Sequence, residues 1–146
     1  MRVLKGIVIV LFVSLYVSCA PKAPLSISHN GVSVTVAEDI RLDERKLEAL
    51  KDYKVVPRVH FYAEKRLRKL IARRGIDVDI TITFLRIKTS VFSVGAGRIG
   101  VDVAVKKGGR EVYAFKTSSL TTRSGSNVKR MSKDLSKRIY KELKDL

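Results

Sequence analysis

Cys19 is the one cysteine in a chain of 146 residues, so no internal disulfide can form. A lone thiol either stays free or carries a covalent group. The two imidazoles, His29 and His60, lack the Cys–His or paired-His spacing that a metal site needs, so neither a metal nor a cofactor is expected. No Ser–His–Asp order stands out. Asp77 and Asp79 share one face of a strand, as general acid–base pairs can, but solvated strand charges beside basic helices are the plainer reading. Gly95-Ala96-Gly97-Arg98-Ile99-Gly100 matches G-x-G-x-x-G. That fingerprint binds a dinucleotide only where a helix follows and its amino terminus receives the pyrophosphate. Here Ile99–Val105 alternate as a strand, and the glycines read as a hairpin connection. The chain is therefore expected to be a non-enzyme, with no catalytic residue to name.

The residues before Cys19 give the thiol its context. Arg2 and Lys5 precede the apolar run Ile7–Tyr16, and Val17-Ser18 lead into Cys19-Ala20. A basic start, a short apolar stretch and a small residue before a cut describe an export signal. The run is short for a membrane span, which needs about 20 residues; extended to Ala20 it could serve as an uncleaved anchor. The cysteine placed after the cut resembles the lipobox of bacterial lipoproteins. The resemblance implies that residues 1–18 are removed and that Cys19 becomes the lipidated first residue. Each buried methylene contributes about 0.8 kcal/mol, and stable anchoring takes more than one chain, which a diacylglycerol plus an amide-linked acyl group would supply. Ala20 after the cysteine, where Asp would signal retention in the enterobacterial pattern, implies an outer-membrane address facing the periplasm.

Residues 19–25 then read as the lipidated cysteine and a tether. Pro21 and Pro24 favour extended geometry, so the tether reaches only about 15–20 Å. Residues 26–146 are one domain. Without the leader the chain keeps 28 Lys+Arg against 14 Asp+Glu, a net charge of +14. Such a balance bears on partners, not on fold. The export signal argues against nucleic acid, so the polyanions in reach are lipopolysaccharide and anionic lipid headgroups.

Leu25–His29 and Val32–Val36 alternate around Asn30-Gly31, a dipeptide suited to a type I′ turn, and predict a hairpin. Leu42, Leu47 and Leu50 suggest a short helix starting near Asp43, with Asp43 as its cap. Val59, Ala63, Leu67, Leu70 and Ile71 fall at helical spacing, and Gly75 can end the run, so residues 57–74 read as an amphipathic helix. Its other surface is basic. Ile76–Phe84 alternate as a strand, and the break at Phe84-Leu85 suggests a bulge. Ile99–Val105 and Glu111–Thr117 flank Gly108-Gly109 as a second hairpin. Thr117–Asn127 reads as a polar loop. Val128, Met131, Leu135, Ile139 and Leu143 make one stripe of a closing helix, capped by Ser126 or Asn127. The fold class is α+β: a two-layer sandwich in which a mainly antiparallel sheet, the hairpin plus a three-stranded meander, is packed by two amphipathic helices.

From Ala63 to Leu143 the order of helix, strand, Gly95-Ala96-Gly97 segment, alternating Ile99-Val101-Val103-Val105, Gly-Gly turn and closing helix with Ser132-Lys133-Asp134-Leu135 resembles YajG-like and related small bacterial envelope lipoproteins. The resemblance implies an envelope lipoprotein and carries over no catalytic residue. Three functions follow as expectations. An accessory or assembly factor would dock on an envelope protein partner through its sheet edge or Thr117–Asn127. A direct binder of lipopolysaccharide or anionic lipid would use basic helix residues, with Lys65, Arg66, Lys69 and Arg73 as the candidate anion site. An enzyme acting on glycans or lipids would need a cleft with perturbed carboxylates.

Overall fold

A computed structural model describes residues 24–88, 95–122 and 127–146. Cys19, the leader and most of the tether lie outside the described residues. The elements are β1 (Ile27–His29), β2 (Val32–Val36), α1 (Glu38–Leu42), α2 (Glu44–Asp52), α3 (Val55–Arg74), β3 (Asp77–Arg86), β4 (Gly97–Lys107), β5 (Arg110–Thr121) and α4 (Asn127–Lys144). The five strands form one sheet in sequence order, β1 to β5. Its helix-covered face is apolar: Val32, Val34, Val36, Val78, Ile80, Ile82, Ile99, Val101, Val103 and Val105 are all buried. They meet Val59, Ala63, Leu67 and Leu70 of α3 and Val128, Met131, Leu135, Ile139 and Leu143 of α4. This is the expected two-layer α+β fold.

Both hairpin turns follow from backbone chemistry. Asn30 and Gly31 have φ of 50° and 77°, and Gly108 and Gly109 have 57° and 76°. Positive φ at both central positions suits the right-handed twist of the flanking strands. The irregularity near Phe84 is also present, as a register shift between Ile82 and Phe84. A Cβ at Gly100 would lie 3.0 Å from that of Phe84, so the missing side chain leaves room for Phe84 beside β4.

Four features differ from the expectation. First, β2 and β3 pair in parallel, Val32 with Val78 through Val36 with Ile82. A parallel pair needs a long crossover, and residues 37–76 with three helices supply it. Second, α1 was not anticipated. Asp43 caps α2 through a bond from the Lys46 amide at 3.2 Å, but its extended backbone separates the two helices. Leu42 thus ends α1 and is 77% exposed, while Leu50 is buried. Third, α3 begins at Val55, placing Pro57 inside its first turn, where a missing amide costs nothing. Fourth, β5 runs on to Thr121, so the first part of the expected Ser/Thr loop, Thr117–Thr121, is strand paired to β4. Thr is a good strand residue, and the buried Ser119 hydroxyl is satisfied by donating to Asp134 at 2.8 Å. The helix starts at Asn127, so Asn127 is its first residue and not its cap; the other candidate, Ser126, lies outside the described residues. Gly97–Gly100 lie in β4, which leads to β5 and not to a helix.

The turns differ in what surrounds them. A Cβ at Gly31 would meet Ile71 Cγ2 at 2.8 Å, whereas Gly108 has open space. Left-handed φ alone costs an ordinary residue about 1–2 kcal/mol. Urea unfolding of Gly31→Ala should therefore show a larger loss than Gly108→Ala; equal losses would mean that Ile71 gives way freely. Leu67→Ala, at a fully buried site, should cost about 2–5 kcal/mol.

Candidate anion-binding groove

Packing of α3 beside α4 sets the geometry of the basic residues. At one end the Lys133 amine sits 5.5 Å from the Tyr62 ring centre. At the other, the Arg74 guanidinium donates to the carbonyls of Leu143 at 2.8 Å and Lys144 at 2.9 Å, closing the carboxyl terminus of α4. The two helices therefore run in the same direction. Their apolar stripes face the sheet, so the cations are pushed to the outer side. There the helices bound an open groove of about 980 Å³ lined by Tyr62, Lys65, Arg66, Lys69, Leu70, Arg73, Lys133, Ser136, Lys137 and Tyr140.

All four basic residues singled out in the sequence line this groove. Lys65, Lys69 and Arg73 recur every fourth residue and form one ridge about 12 Å long. Lys133 and Lys137, which sequence reasoning left out of the site, complete the opposite wall at the same spacing. Their signal was present: both lie on the basic side of the closing helix. What the sequence lacked was the pairing of α3 with α4. Tyr62 and Tyr140 add flat apolar surface, and Ser136 donates to the Lys133 carbonyl at 2.7 Å.

No carboxylate lines the groove, and none of its six cations forms an ion pair among the described residues. Two of the three acidic side chains on these helices, Asp134 and Glu64, are held elsewhere. Asp134 turns to β5, accepting from Ser119 at 2.8 Å and from Arg138 Nε at 2.8 Å. Burial pushes its carboxyl up, but these two donors outweigh it and hold the group below its ordinary value. Glu64 turns to the β1–β2 hairpin, where Asn30 Nδ2 donates to Oε1 at 2.6 Å. His29 Nδ1 lies 3.3 Å from the same oxygen. His60 Nδ1 is 3.6 Å from Oε2, and its Nε2 donates to the Val32 carbonyl at 3.1 Å. Both histidines thus join one cluster that fixes the hairpin to α3, a role that their sequence positions do not disclose.

On the helix-free face of the sheet, charges pair across strands. Lys106 reaches Asp79 at 2.6 Å, and Lys116 reaches Asp102 at 3.4 Å. Asp79 is thus a paired strand charge, and Asp77 is exposed at the strand start. Among the described residues no group of three or more His, Cys, Asp or Glu side chains is placed to hold a metal ion, and no helix is long and apolar enough to cross a membrane.

No family model and no curated protein matches the chain. Two solved structures share part of its course. The PelC dodecamer from Paraburkholderia phytofirmans is 16% identical, with 58% of this chain and 74% of that one covered at a TM-score of 0.43. A candidate lipoprotein from Caulobacter crescentus CB15 is 14% identical, with 78% and 88% covered at a TM-score of 0.42.

The Glu64 cluster gives a pH dependence with a definite sign. The Asn30 bond, with help from His29 and against the opposing effect of burial, lowers the Glu64 carboxyl from its ordinary 4.5. A carboxyl depressed in the folded state stabilises the protein fully above the ordinary value and loses that contribution as pH falls through the folded one. Urea midpoints measured below the ordinary value should fall with pH. Glu64→Gln should be less stable at neutral pH and show a shallower acid slope; an unchanged slope would remove Glu64 from this account.

Proposed function

We propose that this protein is a lipid-anchored envelope protein without catalytic activity, and that it holds an anionic envelope component in the α3–α4 groove. Lipopolysaccharide and anionic lipid headgroups are the ligands in reach of a domain tethered at Cys19. The observation that carries the reading is the six cations on two walls of one groove, with no ion pair to any of them among the described residues and no carboxylate in the lining. Like charges at i,i+4 cost about 0.2–0.5 kcal/mol per pair, and a bound polyanion would offset that cost along the whole ridge. The export signal and the lipobox-like Cys19 support the address, an outer membrane facing the periplasm.

The long edge strand supports a second reading. β5 spans 12 residues at the end of the sheet, with Val112 59% exposed. An edge of that length offers backbone donors and acceptors to an extended segment of another protein. On this reading the domain is an accessory or assembly factor docked on an envelope complex, and a photo-crosslinker at Ala114 would capture one defined envelope protein.

Each basic residue near an anionic surface contributes about 1 kcal/mol. Lys65→Glu with Lys69→Glu should therefore weaken lipopolysaccharide binding at least about tenfold in calorimetric titration, and added salt should weaken the parent protein. Lys116→Glu, on the helix-free face of the sheet, is the control and should bind as the parent does. Equal affinity in the groove variant and the parent would reject the groove. Labelled fatty acid should enter the parent chain and not Cys19→Ser; incorporation into both would reject the anchor.

A further inference from the structure

The sheet topology brings the tether out beside an unusual surface. Ile27 pairs with Val34, so the chain before it, Leu25 and Pro24, leads to the carboxyl-terminal end of β2. Because β2 and β3 are parallel and β3, β4 and β5 antiparallel in turn, the same end of the sheet collects Arg86, Arg98 and Leu120. Leu85, Ile99 and Ser119 point to the helices and are buried. Their neighbours Arg86, Arg98 and Leu120 therefore stand in one row on the helix-free face, and all three are exposed. Phe84, Gly100 and Ser118 form the row behind.

The pairing of Arg86 directly with Arg98 is costly, since like charges opposite one another destabilise a sheet. Further along the same face Asp79 and Asp102 neutralise Lys106 and Lys116. Neither arginine has a carboxylate partner among the described residues. Arg98 instead lies over the Phe84 ring, 5.2 Å from its centre. Lys88, donating to the Thr122 carbonyl at 3.1 Å, and Arg130, beside Leu120 and Thr122, add positive charge at this end. Exposed Glu38 and Asp39 stand on α1, which follows β2, on the other side of β3 from Arg98. Phe84 and Leu120 are 43% and 63% exposed. Exposed apolar side chains among unpaired cations suit an interface of lipid phosphates over acyl chains.

We infer that this end of the sheet, formed by Phe84, Arg86, Arg98 and Leu120, seats the domain on an anionic lipid bilayer. The inference rests on the proposed lipid anchor, because a short tether leaving from this end holds this surface against the membrane. The end that carries this row then meets the bilayer and leaves the α3–α4 groove, on the other layer, uncovered.

The test uses the full-length lipidated protein in vesicles of phosphatidylglycerol and phosphatidylcholine, with bimane on Ser118→Cys or Lys107→Cys and a nitroxide on the lipid headgroups. Quenching at 118 should exceed that at 107, on the far hairpin, at least twofold. Arg86→Glu with Arg98→Glu should abolish the difference, and Arg86→Lys with Arg98→Lys should keep it. Flotation of the vesicles reports the anchor separately. Floating protein quenched equally at the two positions, or unaffected by charge reversal, would overturn this inference alone. Protein that does not float would overturn the anchor and the inference with it.

Discussion

One apolar face of a five-stranded sheet must be covered, and two parallel helices cover it. Val32–Val36, Val78–Ile82 and Ile99–Val105 present a continuous buried surface that the stripes of α3 and α4 close, with Ile40 of α1 and Leu50 of α2 in the same core. The helices carry so many cations that this burial also decides where the charge goes. With Leu67, Leu70 and Leu135 turned inward, Lys65, Lys69, Arg73, Lys133 and Lys137 are left on the outer side of the same contact. The groove is thus the reverse side of the core. Loosening the helix contact would disperse the charge as well as open the fold.

The placement of acidic side chains sharpens this segregation. Glu64 and Asp134 sit on the two groove helices, yet each is turned away by a specific set of donors: Asn30 and His29 for one, Ser119 and Arg138 for the other. These bonds also attach the helices to the sheet, Glu64 at the β1–β2 hairpin and Asp134 at β5. The same contacts that fix the layers therefore keep the groove free of negative charge. A groove whose own carboxylates are engaged elsewhere retains its field for a ligand.

Much of the local structure could be read from residue order, because local chemistry decides it. Asn30-Gly31 and Gly108-Gly109 specify their turns through positive φ, and the stripes Val59–Ile71 and Val128–Leu143 specify two helices and their buried faces. The break near Phe84 announced its register shift. What escaped was set by distant partners. The parallel pairing of β2 with β3 depends on a crossover of three helices, and nothing within either strand encodes it. Ser118-Ser119-Leu120-Thr121 looks like a loop until Asp134 supplies a partner for Ser119. The candidate site was half legible for the same reason. Lys65, Arg66, Lys69 and Arg73 lie on one helix, whereas Lys133 and Lys137 join them only through tertiary packing.

The most direct test of the central claim is a chemical-shift map of the domain titrated with a soluble, phosphorylated lipopolysaccharide fragment. The account expects saturable, salt-sensitive changes at residues 62–73 and 133–140, with α1 unmoved. Changes confined to the β5 edge, or scattered evenly over every basic residue without saturation, would contradict it.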